Sequence, residues 1–186
     1  MPDTRSAWTI LERAELLVTA EAVSAAVARM AREITAALAT EHPLVLTVMG
    51  GGVVFTGQLL PLLRFPLEFD YVHVSRYGDA TTGGALAWKV EPGHRVADRT
   101  VLVIDDILDE GQTLAEIRRK VLSLGATRCL SAVFADKQIG KPKPARADFV
   151  GVSVPDRYVF GFGMDVRGAW RNLPAIYVLN EDGGGG

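Results

Sequence analysis

Three unbroken apolar runs constrain this chain more than anything else in it: "LVLTVM" at 44–49, "VLVI" at 101–104 and "CLSAVFA" at 129–135. A strand with one wet face alternates apolar and polar side chains. A run without alternation belongs to a strand covered on both faces, the habit of parallel sheets under helices. Helical stripes fall between the runs. Val23, Val27, Met30, Ile34 and Leu38 recur at spacings of three and four, with Thr19 placed to cap the helix start. Leu114, Ile117, Val121 and Leu124 form a second stripe, and Gly125 stands where a terminating glycine belongs. "GGG" at 50–52 opens a further helical stretch, and 66–77, 148–154 and 175–179 read as additional strands. Strands alternating with helices predict an α/β fold: a parallel, helix-covered sheet joined by right-handed crossovers.

The 186 residues suit one domain with a sizeable core. A net charge of −2 provides no basic field, so nucleic acid is not expected as a partner. The four cations of "KQIGKPKPAR" lack the interleaved aromatics of an RNA-binding patch. Cys129 is the single cysteine, which excludes an internal disulfide, fits a reducing compartment and reads as a buried thiol. No apolar stretch approaches the ~20 residues of a membrane span, and "MPDTRSAWTI" lacks the apolar centre of a secretion signal. The expected location is the cytoplasm. The glycine tail within 181–186 is set aside as a disordered end.

Ligands of such sheets sit at the carboxyl ends of the strands. "VMGGG", "SRY", "VIDDILDEGQT" and "FADK" all fall there. In the third of these, Asp105 and Asp106 are expected to end the strand, and Asp109 to Thr113 to lead into a helix. The unpaired N–H groups of that helix start, with Gly111 permitting close approach and the Thr113 hydroxyl donating, can hold a phosphate. The acidic pair cannot. It can accept hydrogen bonds from vicinal hydroxyls or face Mg²⁺. Phosphate plus diol makes a 5-phosphoribosyl group the natural occupant.

"VLVIDDILDEGQTL" resembles the phosphoribosyl-pyrophosphate signature of type I phosphoribosyltransferases: an apolar strand, two acids, two apolars, then Asp-x-Gly-x-Thr. It also resembles the acidic pair of receiver domains, but there the pair lies on the first strand. The eighty residues that follow here are too few for the rest of that fold. Residues 147–174, "ADFVGVSVPDRYVFGFGMDVRGAWRNLP", resemble the hypoxanthine-guanine branch. The resemblance implies a single domain over 1–180: a parallel-sheet core at roughly 22–136, flanked by helices, and a small hood from 1–21 and 137–180. It implies a phosphoribosyl site of Asp105, Asp106, Asp109, Glu110, Gly111, Gln112 and Thr113, with Asp109 as catalytic base. Pyrophosphate would meet Gly50, Gly51, Arg76, Tyr77 and Arg171; the purine would meet Lys137, Tyr158, Val159 and Asp165. Mg²⁺ would be held by Asp105, Asp106 and Asp165. The implied partners are phosphoribosyl pyrophosphate, a 6-oxopurine and further copies of the chain, as dimer or tetramer.

Two departures from that branch stand out. Its pyrophosphate loop carries Lys or Arg before glycine, where this chain has Gly50-Gly51, and its Ser-Tyr pair appears as Arg76-Tyr77. The branch has a non-proline cis peptide in the first loop, expected here at Gly50-Gly51, and a closing lid, expected at 77–84. Read without the resemblance, Lys137 is one of several solvated loop cations and Tyr158 a core aromatic. The preferred base among hypoxanthine, guanine and xanthine stays open, as does a sensor of phosphoribosyl pyrophosphate on the same fold.

Overall fold

The computed structural model describes residues 3–76 and 86–180. In chain order it contains α1 (Thr4–Glu12), β1 (Glu15–Val18), α2 (Ala20–Leu38), β2 (Leu44–Met49), α3 (Gly52–Leu59), β3 (Glu68–Arg76), β4 (Leu86–Val90), β5 (Thr100–Leu108), α4 (Gln112–Ser123), β6 (Arg128–Gln138), β7 (Phe149–Pro155), β8 (Val159–Phe160) and β9 (Ile176–Val178). Tyr77, the expected lid and the glycine tail lie outside the described residues.

A six-stranded sheet runs β4-β3-β2-β5-β6-β7, parallel except for the antiparallel edge strand β4. Strand β7 belongs to this sheet, so its core strands reach past residue 136, where the core was expected to end. A three-stranded antiparallel sheet, β1-β9-β8, joins the two ends of the chain. Alternate residues of the apolar runs face opposite cores, which explains why the runs do not alternate. Val45, Leu102, Ile104 and Phe134 pack with α2 and α3. Leu44, Leu46, Val101, Val103 and Val133 pack with α4. Ile34 and Leu38 are fully buried, and truncating either to Ala would cost ~2–5 kcal/mol.

The helix ends follow their local chemistry. Thr19 Oγ1 accepts from Ala22 N at 3.2 Å and caps α2. Gly125 takes φ +93 just past α4. Strand β5 overruns its expected end, because Ile107 and Leu108 continue to pair with Ala135 and Asp136 of β6. Asp105 and Asp106 therefore sit inside a strand rather than at its tip. The parallel arrangement brings the carboxyl ends of β2, β3, β5 and β6 to one edge of the sheet, as the sequence pattern required.

Candidate active site

At that edge two cavities adjoin. The first, ≈ 290 Å³, is lined by Met49, Gly50, Gly51, Asp105 to Gly111, Thr113 and Arg171, among others. The second, ≈ 190 Å³, is lined by Asp106, Ile107, Asp109, Lys137, Tyr158, Val159, Met164, Asp165 and Arg171. Asp106, Ile107, Asp109 and Arg171 line both. The structure thus gathers nearly every expected residue. Gln112 is an exception: it opens α4, is exposed and lines neither cavity, while Tyr77 lies outside the described residues. Arg76 ends β3, opposite Leu86 of β4.

The first cavity is built by close approach of backbones. The cis peptide lies at Met49–Gly50, one bond before the expected Gly50–Gly51 position. A Cβ on Gly51 would stand 1.8 Å from Asp106 Oδ2, and one on Gly163 would stand 2.2 Å from the Gly51 carbonyl oxygen. Only glycines let the 49–52 turn, Asp106 and the 161–171 segment stack this tightly. Gly111, at φ +82, turns the acidic loop into α4, whose start carries no side-chain cap, and Gly111 and Thr113 line the cavity.

Charge is concentrated here at a cost. Burial, and after it the neighbouring Asp106, push the Asp105 carboxyl well above the ordinary carboxylate range. Burial also raises Asp106, against the opposing pull of Arg171, whose Nη1 lies 4.0 Å from Asp106 Oδ2. The Asp106 N–H donates to Asp105 Oδ1 at 2.9 Å and the Ile107 N–H to Asp106 Oδ1 at 2.8 Å, which fixes both carboxylates.

In the second cavity Lys137 Nζ donates to Asp109 Oδ2 at 2.9 Å, with the lysine side chain 13% exposed. Lys137 is therefore not a solvated loop cation. Tyr158 is half exposed, not a core ring, and its hydroxyl donates to the Asp165 carbonyl at 3.1 Å. Burial, then the Asp165 charge, raise its hydroxyl above the ordinary tyrosine value. Arg171 donates to the Gly163 carbonyl at 2.6 Å and pairs with Asp165, whose other oxygen accepts from Gly168 N at 2.7 Å. Lys143, one of the loop cations left without a role by the sequence, is also buried at this edge and donates to Leu108 O, Asp136 Oδ1 and Lys137 O. Nothing in "KQIGKPKPAR" separates it from its neighbours, because two of its acceptors are backbone carbonyls.

Among the described residues no three His, Cys, Asp or Glu side chains converge as a metal cage. Asp165 stands in the second cavity, apart from Asp105 in the first. Mg²⁺ rarely needs such a cage, since one or two carboxylates plus substrate oxygens commonly hold it. The crowded Asp105–Asp106 pair, which among the described residues meets a cation in Arg171 at 4.0 Å, fits that donor set.

The phosphoribosyl transferase domain family model matches residues 14–167. The chain belongs to the phosphoribosyltransferase family. Within it, the chain is 32% identical over 166 residues to the hypoxanthine-guanine phosphoribosyltransferase of Bacillus subtilis, covering 89% of this chain and 92% of that one. It is 31% identical over 169 residues to the bifunctional protein TilS/HprT of Listeria innocua, covering 90% of this chain but only 26% of that longer protein. Among solved structures, a hypoxanthine phosphoribosyltransferase from Staphylococcus aureus superposes with a TM-score of 0.85 at 25% identity, over 92% of this chain and 95% of that one. This phosphoribosyltransferase shares the mixed α/β fold of that structure, with its central, mostly parallel sheet. No helix among the described residues is long and apolar enough to cross a membrane.

Proposed function

We propose that this phosphoribosyltransferase salvages purines, moving 5-phosphoribosyl from phosphoribosyl pyrophosphate to hypoxanthine or guanine to give IMP or GMP and pyrophosphate. The observation that carries the reading is the Lys137–Asp109 pair, donor and acceptor in direct contact at 2.9 Å on the wall of the second cavity. A 6-oxopurine offers the matching edge, with an oxygen to accept from Lys137 beside an N7–H to donate to Asp109. Adenine would turn an amine toward the lysine and leave it unmatched, a polar conflict able to discriminate by ~10⁴ or more.

The first cavity then takes the phosphoribosyl group. The Glu110–Thr113 turn cradles its phosphate, and Asp105 and Asp106 accept from the ribose hydroxyls. Gly50, Gly51 and Arg171, with Arg76 at the end of β3 and the Tyr77 that follows it in sequence, receive pyrophosphate. With no cation at position 50, backbone N–H groups and arginine carry more of that charge. Mg²⁺, held by Asp105 and Asp106 and approached by Asp165, would neutralise charge developing on the leaving pyrophosphate. Tyr158 stacks on the base and the Val159 backbone reads its edge. Asp109, shared by both cavities, takes the N7 proton as the purine nitrogen attacks C1. The hood formed by β1, β8 and β9 supplies the base wall of the single domain.

We further place the enzyme in the cytoplasm as a homo-oligomer, dimer or tetramer. The apolar Phe69 and Tyr71, exposed on β3, support self-association, which light scattering would measure. The deciding assay offers the protein Mg²⁺, phosphoribosyl pyrophosphate and hypoxanthine, guanine, xanthine, adenine or uracil in turn, with products read by mass. IMP or GMP without AMP supports the reading. XMP as the main product would make it a xanthine enzyme, and tight phosphoribosyl-pyrophosphate binding without any product would make it a sensor.

A further inference from the structure

Lys143 lies on the loop after β6, its side chain only 12% exposed. Its ammonium donates at 2.6 Å to the Asp136 carboxylate, at 2.6 Å to the Lys137 carbonyl and at 2.7 Å to the Leu108 carbonyl. An ammonium has three donors and no acceptor, and here each donor has a target. The position is a natural one for a cation. Leu108 and Asp136 form the last rung between β5 and β6; past it β6 stays paired only with β7, through Lys137 and Val154, and the Lys137 carbonyl also accepts from Ile139 N at 3.1 Å. Where β5 parts from β6 the ammonium replaces the missing rungs, and its charge-assisted bonds to the Leu108 and Lys137 carbonyls are strong ones.

The bonded carbonyls are those of Leu108, one residue before Asp109, and of Lys137 itself. One ammonium therefore ties together the two backbones from which the Asp109–Lys137 pair projects. The same segment backs the phosphate turn: a Cβ on Gly111 would meet Lys143 Cβ at 3.3 Å and Ala145 O at 3.4 Å. Behind Lys137 lies an open cleft of ≈ 440 Å³, also walled by Lys143, into which the end of β6 could retreat if the tie were cut.

We propose that Lys143 is a positioning residue for base recognition. It touches no substrate and acts through Lys137 and Asp109, setting the separation and direction of the donor and acceptor that meet the purine edge. The proposal rests on the purine-transfer reading given above.

The test compares the full-length wild type with Lys143→Met, which keeps the apolar stem without donors, and Lys143→Arg, which keeps charge and donors. KM is measured for hypoxanthine and for phosphoribosyl pyrophosphate separately. Lys143→Met is expected to raise the hypoxanthine KM about tenfold or more, the scale of a small misplacement at a reacting site. Its phosphoribosyl-pyrophosphate KM should stay within about twofold, and Lys143→Arg should recover most of the loss. Two equal rises, or none, would overturn the proposal, because a lysine that merely held the fold would not split the two constants. If Lys143→Met does not fold, Lys143→Gln keeps two N–H donors without the charge; the same split supports the role and an unsplit result removes it. A wild type inactive with every base removes the purine-transfer reading and this role with it. An active wild type with unsplit variants removes only the role.

Discussion

Gly50 and Gly51 are neighbours in one turn, yet they should respond to alanine in opposite ways. Gly51 has φ −65 and ψ −45, a backbone conformation any residue adopts, so alanine there meets no backbone strain. Its obstacle is Asp106. The new Cβ would lie 1.8 Å from Oδ2, 2.3 Å from Cγ and 2.7 Å from Oδ1, whereas Cβ atoms essentially never approach within 3.0 Å. Asp106 has little room to withdraw. It is buried, its Oδ1 accepts from Ile107 N, and Gly163 packs against its Cβ. Overpacking of this kind costs ~1–3 kcal/mol, and losing the Ile107 bond adds ~1 kcal/mol. For a chain of this size that total lowers Tm by roughly 4–16 °C. A Cβ on Gly50 meets nothing within 4 Å, so Gly50→Ala should stay within ~0.5 kcal/mol of the parent.

Thermal melts of the two variants, with kcat/KM for phosphoribosyl pyrophosphate measured alongside, separate sterics from chemistry. Gly51→Ala should lose both stability and activity, and Gly50→Ala should keep its stability. The reasoning fails if Gly51→Ala melts with the parent, or if the two variants lose stability equally.

The buried acids make a stability prediction of their own. Asp105→Asn keeps an oxygen to accept from Asp106 N and removes one of two crowded charges. Because the folded carboxyl is raised, the folded state holds a proton that the unfolded chain releases; the penalty is absent below the ordinary carboxylate range and grows as pH climbs through the folded value. The variant should therefore melt higher than the parent at neutral pH, converge with it in acid, and turn over poorly; a gap that widens in acid would contradict the assignment. Asp109→Ala should cut kcat by ~10²–10⁴ while the phosphoribosyl-pyrophosphate KM moves little, and equal losses in both would remove the base role. The Cys129 thiol is buried and pushed up to about 11 by that burial. A thiol reagent in mildly alkaline buffer should thus label the denatured chain and spare the native one, and rapid native labelling would show that β6 opens.

The acidic loop was legible because its chemistry lives in side-chain identity: two acids, a glycine and a threonine at fixed spacing say what they can bind. The main sheet was legible because burial on both faces leaves an unbroken apolar run. What stayed hidden depends on partners distant in sequence. Strand β5 continues through Asp105 and Asp106 because backbone pairing with β6 does not care about side-chain polarity. Helix α1 fully buries none of its residues, and its apolar stripe of Ala7, Ile10 and Leu11 is short and only half-buried; Trp8 packs against Trp170, whose Nε1 donates to Ala7 O. Strand β1 pairs with β9 across most of the chain, and β8 is two residues long. Lys143 was invisible for the same reason, its partners being carbonyls that any sequence carries.

The core and the site are joined through three rings. Phe134 lies 4.4 Å from Phe162 and 5.5 Å from Phe55, all three fully buried in the core beneath α2 and α3. Each ring stands a few residues from one wall of the site: Phe55 follows the Gly50–Gly52 turn, Phe134 precedes Lys137, and Phe162 adjoins Gly163. Phe162 holds a left-handed φ of 50, a conformation that costs a non-glycine residue ~1–2 kcal/mol and that close packing offsets. A ring cluster of this kind fixes the relative heights of three loops contributed by distant parts of the chain. The 50–52 turn, Lys137 and the segment carrying Asp165 and Arg171 are therefore tied to one packed cluster. Stability and recognition are coupled at this edge through packing, so a core substitution under the loops should be felt in the purine KM before it is felt in the fold.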